Sequence, residues 1–201
     1  MYRDVIACLG VLLGVAPLAA AQDQPAAVRI LIAYESVTGN TEKLAQAIRD
    51  GAVSVPAVEV TLSRASEVRD EALAGFDGVI VGTPVYWANL TAETKRFLDR
   101  LGDALWKAKT TGDGRTAGAF CTGGGVSMGK DIARLSILSA FMTMRFMVVG
   151  GVDAAGFGTL GPEATTGPDD PGVEGRELDE ARAFGERFAR LTRQLRSGVR
   201  S

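Results

Sequence analysis

Residues 36 to 41 bring together side chains that suit a phosphate-binding loop. Hydroxyl, glycine and amide groups can direct uncharged N–H and O–H donors at a phosphate, and a helix that begins directly afterwards adds partial positive charge. No lysine or arginine lies between Arg29 and Lys43, so these donors would act without a cation from the same stretch. The alternative is an ordinary strand-to-helix turn with a Thr or Asn cap. The candidate residues are Ser36, Val37, Thr38, Gly39, Asn40 and Thr41.

Two further segments have the composition of ligand-binding loops. Two adjacent aromatic residues follow a strand-like run and a proline, and large aromatic side chains are rarely left exposed without a partner. A planar ring stacked on them would gain about 0.5–1.5 kcal/mol per pair beyond its buried area; the alternative is that they pack against a helix or at an interface. A later run of three glycines allows a ligand to approach the backbone closely. The candidates are Pro84, Val85, Tyr86, Trp87, Thr122, Gly123, Gly124 and Gly125.

Several other chemistries are excluded or disfavoured. The chain has no histidine, which excludes His-ligated zinc and the Ser-His-Asp and Cys-His types of catalysis. Residues 124–131 match the P-loop pattern G-x-x-x-x-G-K, but Asp131 stands where Ser or Thr should bind Mg²⁺ and would repel phosphates. Cys121 lacks a resolving partner, so it is predicted to be a buried residue at a strand end and not a redox thiol. No metal site is predicted.

Apolar runs alternate with helix-like periodicity along the chain, which predicts an α/β fold with a parallel sheet. In such sheets ligands bind at the carboxyl ends of the strands, and the three candidate loops each follow a predicted strand. The long stretch 161–175, rich in Pro, Gly and Asp, is predicted to be an exposed loop. Strands are predicted at 28–34, 58–62, 79–83, 116–121 and 146–149, and helices at 42–53, 89–101, 130–142 and 177–195.

The stretch from Ile32 to Thr41 resembles the FMN-phosphate loop of flavodoxins, whose pattern is Ser/Thr-x-Thr-Gly-x-Thr. The segments 82–89, 97–99, 105–106, 121–125 and 164–166 resemble those of flavodoxin-like NAD(P)H:quinone oxidoreductases of the Trp-repressor-binding-protein (WrbA) type. This resemblance implies a flavodoxin-like three-layer sandwich with a five-stranded parallel sheet in the order 2-1-3-4-5. It also implies a bound FMN that contacts all three candidate loops, and it suggests a homo-oligomer.

The resemblance implies an FMN oxidoreductase that takes electrons from NAD(P)H and passes them to quinone-like small molecules. The flavin then carries the chemistry and no catalytic side chain is required. The alternatives are a non-enzymatic electron carrier of the flavodoxin type and a scaffold that has lost FMN. Relatives carry a histidine near the position of Arg145, where this chain has none.

The composition fits one folded domain, predicted to span residues 28–197. Charged residues make up 23% of the 201 residues and the net charge is −2, so no basic surface for nucleic acid is expected. An apolar run followed by Ala19-x-Ala21 predicts a signal peptide, residues 1–21, and export to the periplasm after its cleavage. If this interpretation of the N-terminus is wrong, the protein is cytoplasmic.

Overall fold

The computed structural model describes residues 27–126, 128–151, 159–167 and 172–199. The predicted signal peptide lies outside these residues, so it stays a prediction. Within them, no helix is long and apolar enough to span a membrane. The strands are β1 (Val28–Tyr34), β2 (Val58–Arg64), β3 (Gly78–Pro84), β4 (Thr116–Gly123), β5 (Met147–Val148) and β6 (Glu163–Thr165); the helices are α1 (Asn40–Val53), α2 (Asp70–Leu73), α3 (Ala92–Lys107), α4 (Lys130–Thr143) and α5 (Gly175–Val199).

The strands form one parallel sheet in the order β2-β1-β3-β4-β5, which confirms the predicted topology. β6 pairs with the last residues of β4 and extends the sheet at its carboxyl end. The last residue of β1, Tyr34, lies beside Arg64 of β2 and Gly82 of β3 in the strand register. The loops that follow these strands therefore emerge at the same edge of the sheet.

Helices cover both faces of the sheet, and alternate residues of each strand enter different cores. In β1, Ile30 and Ile32 pack with α1 and α5, whereas Leu31 and Ala33 pack on the opposite face with α3 and α4. This two-residue period is that of a strand buried on both faces, where continuous apolar runs are expected. The two cores hold the strand ends rigidly beneath the loops.

Two predicted segments differ from the observed structure. The stretch 161–175 is not simply an exposed loop, because Glu163–Thr165 forms β6 and Ala164 is fully buried against β4. The fifth strand is reduced to Met147–Val148, and both of its side chains are exposed. Pairing with the end of β4, not an apolar pattern of its own, makes residues 163–165 a strand.

Candidate functional site

Residues 36 to 41 connect β1 to α1, as predicted, and present unpaired N–H groups at the start of the helix. The N-cap is Gly39, at φ +88°, so no Thr or Asn side chain caps the helix. The side chain of Ser36 is buried and its Oγ accepts a hydrogen bond from Glu42 N (3.3 Å). Among the described residues, the backbone N–H groups of residues 37–41 have no hydrogen-bond partner. Because the first four N–H groups of a helix need an external acceptor, this loop can hold an anion.

Side chains within the loop have two different roles. Thr38 is exposed and Asn40 is half-buried, and Asn40 Nδ2 donates to Thr38 Oγ1 (3.3 Å). Thr41 is buried, and its hydroxyl forms a hydrogen bond of 2.8 Å with that of Thr122 in β4. Thr38 and Asn40 are therefore placed to contact a ligand, whereas Thr41 fixes the start of α1 against the sheet.

Thr122 connects all three predicted loops. Besides its contact with Thr41, its carbonyl oxygen accepts a hydrogen bond from Val85 N (2.7 Å), just after β3. The next carbonyl, that of Gly123, accepts one from Thr166 N (2.8 Å), just after β6. Thr122 and Gly123 are themselves buried, so they position the loops, while Gly124 is exposed. The structure thus brings the candidate residues to one edge of the sheet.

The loop after β3 forms a tight turn with strained residues at its tip. Tyr86 and Asn89 are bridged by two backbone hydrogen bonds, and the residues between them, Trp87 and Ala88, have φ values of +50° and +63°. This left-handed conformation is uncommon for residues with a side chain and, where it occurs, often marks a functional site. Trp87 is fully exposed and Tyr86 is half exposed. Trp87 therefore packs on no helix among the described residues, and that alternative fails for this side chain.

A cleft of about 510 Å³ lies between this turn and the glycine loop. Its walls carry no charged residue; they are Val85, Trp87, Ala88, Gly124, Met128, Gly129 and Ile132. A Cβ added at Gly124 would meet no atom within 4 Å, so the backbone at this point is open to a ligand. A flat, largely apolar ring suits such walls better than a charged group does.

Two residues that the sequence analysis did not assign to the site support its edges. Arg64, at the end of β2, donates from Nη1 to Ser36 O (2.8 Å). Lys130, the lysine of the P-loop-like pattern, is buried and its Nζ lies 2.9 Å from Glu163 Oε1 and 3.0 Å from Thr165 Oγ1. That lysine is therefore engaged by β6 and is not available to a triphosphate.

Arg145 lies far from these loops. It follows α4 and precedes β5, and its guanidinium pairs with Asp113 (Arg145 Nη2 to Asp113 Oδ2, 2.8 Å). The start of β5 lies beside Thr116, the first residue of β4, and so at the opposite edge of the sheet. Within one chain, Arg145 does not contribute to the candidate site.

Cys121 lies in β4 beneath the site and is fully buried. Burial raises the pKa of its thiol to about 12, and nearby Arg134 lowers it only in part. Because the thiolate is the reactive form, Cys121 should resist an aromatic disulfide reagent at pH 8 in the native protein and react promptly in urea. Rapid labelling of the native protein would contradict this burial.

The donor set fits the phosphate and ring of a flavin mononucleotide: unpaired N–H groups lie at one end and an uncharged cleft beside two aromatic side chains at the other.

The sequence profile for "NADPH-dependent FMN reductase" matches residues 65–159. The chain is 31% identical over 169 residues to a flavodoxin from Clostridium saccharobutylicum, covering 84% of this chain and 99% of that protein. It is 28% identical to an "NAD(P)H dehydrogenase (quinone)" from Acidithiobacillus ferrooxidans, covering 83% and 98%.

A solved structure shows the same fold. The crystal structure of a flavodoxin, WrbA-like protein from Agrobacterium tumefaciens matches with a TM-score of 0.63 and 20% identity, covering 84% of this chain and 99% of that chain. The parallel sheet order and the relative that is 31% identical over almost its whole length show the family of this chain. The chain belongs to the flavodoxin-like family of FMN flavoproteins, which includes the NAD(P)H:quinone oxidoreductases of the WrbA type.

Proposed function

We propose that this protein is an FMN-dependent NAD(P)H:quinone reductase. The match to the NADPH-dependent FMN reductase profile and the relative named NAD(P)H dehydrogenase (quinone) support this activity. The structural observation that carries the proposal is the connection of the three loops through Thr122, since it brings the start of α1, with its unpaired N–H groups, and an uncharged cleft to one edge of the sheet.

Each part of the chain then has a distinct task. The N–H groups of residues 37–41 bind the FMN phosphate, and Tyr86 and Trp87 contact the ring. Gly124 lets the ring approach the backbone, and the apolar walls of the cleft exclude water around it. When bound, FMN supplies the two-electron chemistry, so the protein needs to hold and orient it and to admit a nicotinamide or a quinone.

Replacing either Thr38 or Asn40 with alanine should weaken FMN binding by about 1–3 kcal/mol, the effect of losing a polar partner of a charged group. Neither side chain is fully buried, so neither change should alter the fold. Titration with FMN, followed by flavin fluorescence, measures the change. Ser66→Ala is a suitable control variant, since Ser66 is exposed and lies outside the loop. If both variants bind FMN as tightly as the wild type does, the phosphate assignment is wrong.

A flavodoxin-type electron carrier is the second candidate, favoured by the flavodoxin from Clostridium saccharobutylicum. Mixing the FMN-loaded protein with NADH or NADPH without oxygen distinguishes the two. A reductase loses its yellow absorbance within seconds and regains it when a quinone is added. A carrier keeps its colour with either nicotinamide for minutes and changes only with a strong chemical reductant.

A further inference from the structure

Arg64 lies next to the phosphate-binding loop, although it comes 22 positions later in the sequence than Glu42, the acidic residue in the first turn of α1. It is the last residue of β2 and sits beside Tyr34, the last residue of β1, in the strand register. Parallel pairing therefore brings its side chain to the start of the loop that β1 leads into. No pattern within residues 30–42 reveals this cation, because it comes from a different strand.

The guanidinium of Arg64 is held on three sides. Its Nη1 donates to Ser36 O (2.8 Å), its Nη2 pairs with Glu42 Oε2 (3.0 Å), and its central carbon lies 5.6 Å from the centre of the Tyr34 ring. The side chain is 37% exposed, so it is half-buried beside the loop. A guanidinium can make all three contacts at once, because it carries several donors on one planar cation, whereas a lysine ammonium is a single point charge.

These contacts fix the residue from which the loop departs. Ser36 accepts two hydrogen bonds, one at its carbonyl from Arg64 and one at its Oγ from Glu42 N. The exposed residues Val37 and Thr38 follow directly. Because a planar trans peptide sets the Val37 N–H opposite the Ser36 carbonyl, holding that carbonyl beside Arg64 also fixes the direction of the first N–H of the loop. The arginine also places a positive charge beside a site that has no other cation in its own segment.

We infer that Arg64 is a positioning residue for the FMN phosphate: it fixes the Ser36 carbonyl and so sets the loop whose N–H groups bind the phosphate. This inference rests on the proposed function, because it concerns the same phosphate site. The inference concerns the phosphate end of the site and not the ring end, since Arg64 contacts Ser36 and Glu42 and is not among the described residues that line the cleft.

The test compares FMN with riboflavin, which has the same ring and no phosphate. Arg64→Met should weaken FMN binding about tenfold and leave riboflavin binding unchanged. Arg64→Lys, which restores the charge without the paired donors, should recover only part of the FMN affinity. Arg49→Met is the matched control, since Arg49 is an exposed residue of α1 that pairs only with the adjacent Asp50. Far-UV circular dichroism and the melting temperature confirm that each variant is folded.

The FMN and riboflavin affinities of Arg64→Met decide whether Arg64 acts on the phosphate end of the site alone. A loss of FMN affinity with riboflavin unaffected supports the inference. An equal loss of affinity for FMN and riboflavin overturns the inference, because Arg64 would then support the site as a whole. Unchanged FMN affinity in Arg64→Met overturns it as well. If the wild-type protein binds FMN and Arg64→Met has the same affinities for FMN and riboflavin as the wild type, only the inference about Arg64 fails and the proposed function stands. A wild-type protein that binds neither flavin overturns both.

Discussion

Replacing Gly129 with alanine should destabilise the fold by about 3 kcal/mol, the sum of left-handed backbone strain and overpacking. Gly129 is the N-cap of α4 at φ +84°, and a Cβ there would lie 2.3 Å from Ala88 Cα and 2.6 Å from Ala88 O. Both of these atoms are backbone, in a turn that is already strained at Trp87 and Ala88. The turn must therefore move away from α4, which distorts the cleft. Urea unfolding measures the free energy, and an FMN titration reports on the cleft.

Gly124→Ala is the matched control for this substitution. Gly124 lies in the same loop region, has no left-handed backbone and faces empty space. Its free energy of unfolding should stay within about 0.5 kcal/mol of the wild type, as for surface changes that touch no packed atom. Equal stability of the two alanine variants would show that Gly129 and Ala88 are not in contact.

Replacing Glu163 with alanine should destabilise the protein by about 3 kcal/mol, the lower end for breaking a buried ion pair, since Glu163 is one third exposed. Its carboxylate pairs with both Lys130 and Arg134, whose side chains are 4% and 1% exposed. Without it, two buried cations lose the anion that they share. Because these ion pairs tie Glu163 of β6 to α4, β6 should loosen from the end of β4 when they are lost. Chemical denaturation measures the loss, and hydrogen exchange at residues 163–166 locates it.

The matched control for Glu163 is Asp131, which also pairs with Arg134 but is 82% exposed. An exposed ion pair contributes about 0–1 kcal/mol, so Asp131→Ala should have a small effect. If Glu163→Ala were no more harmful than Asp131→Ala, the buried cluster would not anchor β6.

Much of the fold followed from local pattern. The apolar run 28–34 could be predicted as a buried strand, because strands covered on both faces need no polar alternation. The loop after it could be predicted as a ligand loop, because Gly39 and its hydroxyl neighbours precede a helical period. The structure confirms the predicted sheet order and shows the three loops at one edge.

The remaining features depend on contacts between distant segments. β6 has three residues with only Ala164 buried, which is too short for a periodic signal, and its pairing with β4 alone makes it a strand. The two left-handed positions of the turn after β3, Trp87 and Ala88, hold neither Gly nor Asn, the residues that would indicate such a backbone. Arg64 could be recognised only once β1 and β2 were known to be neighbours in register. The helical periodicity predicts that α3 begins at residue 89, whereas it begins at Ala92 after the Thr91 cap.

The most direct test of this account is a fluorescence titration of FMN with the purified protein. We expect FMN fluorescence to be quenched at micromolar protein and the plateau to be reached at one flavin per chain. FMN should also bind more tightly than riboflavin, since the unpaired N–H groups of residues 37–41 could then pair with a phosphate that riboflavin lacks. FMN fluorescence that stays unchanged in excess folded protein would contradict it.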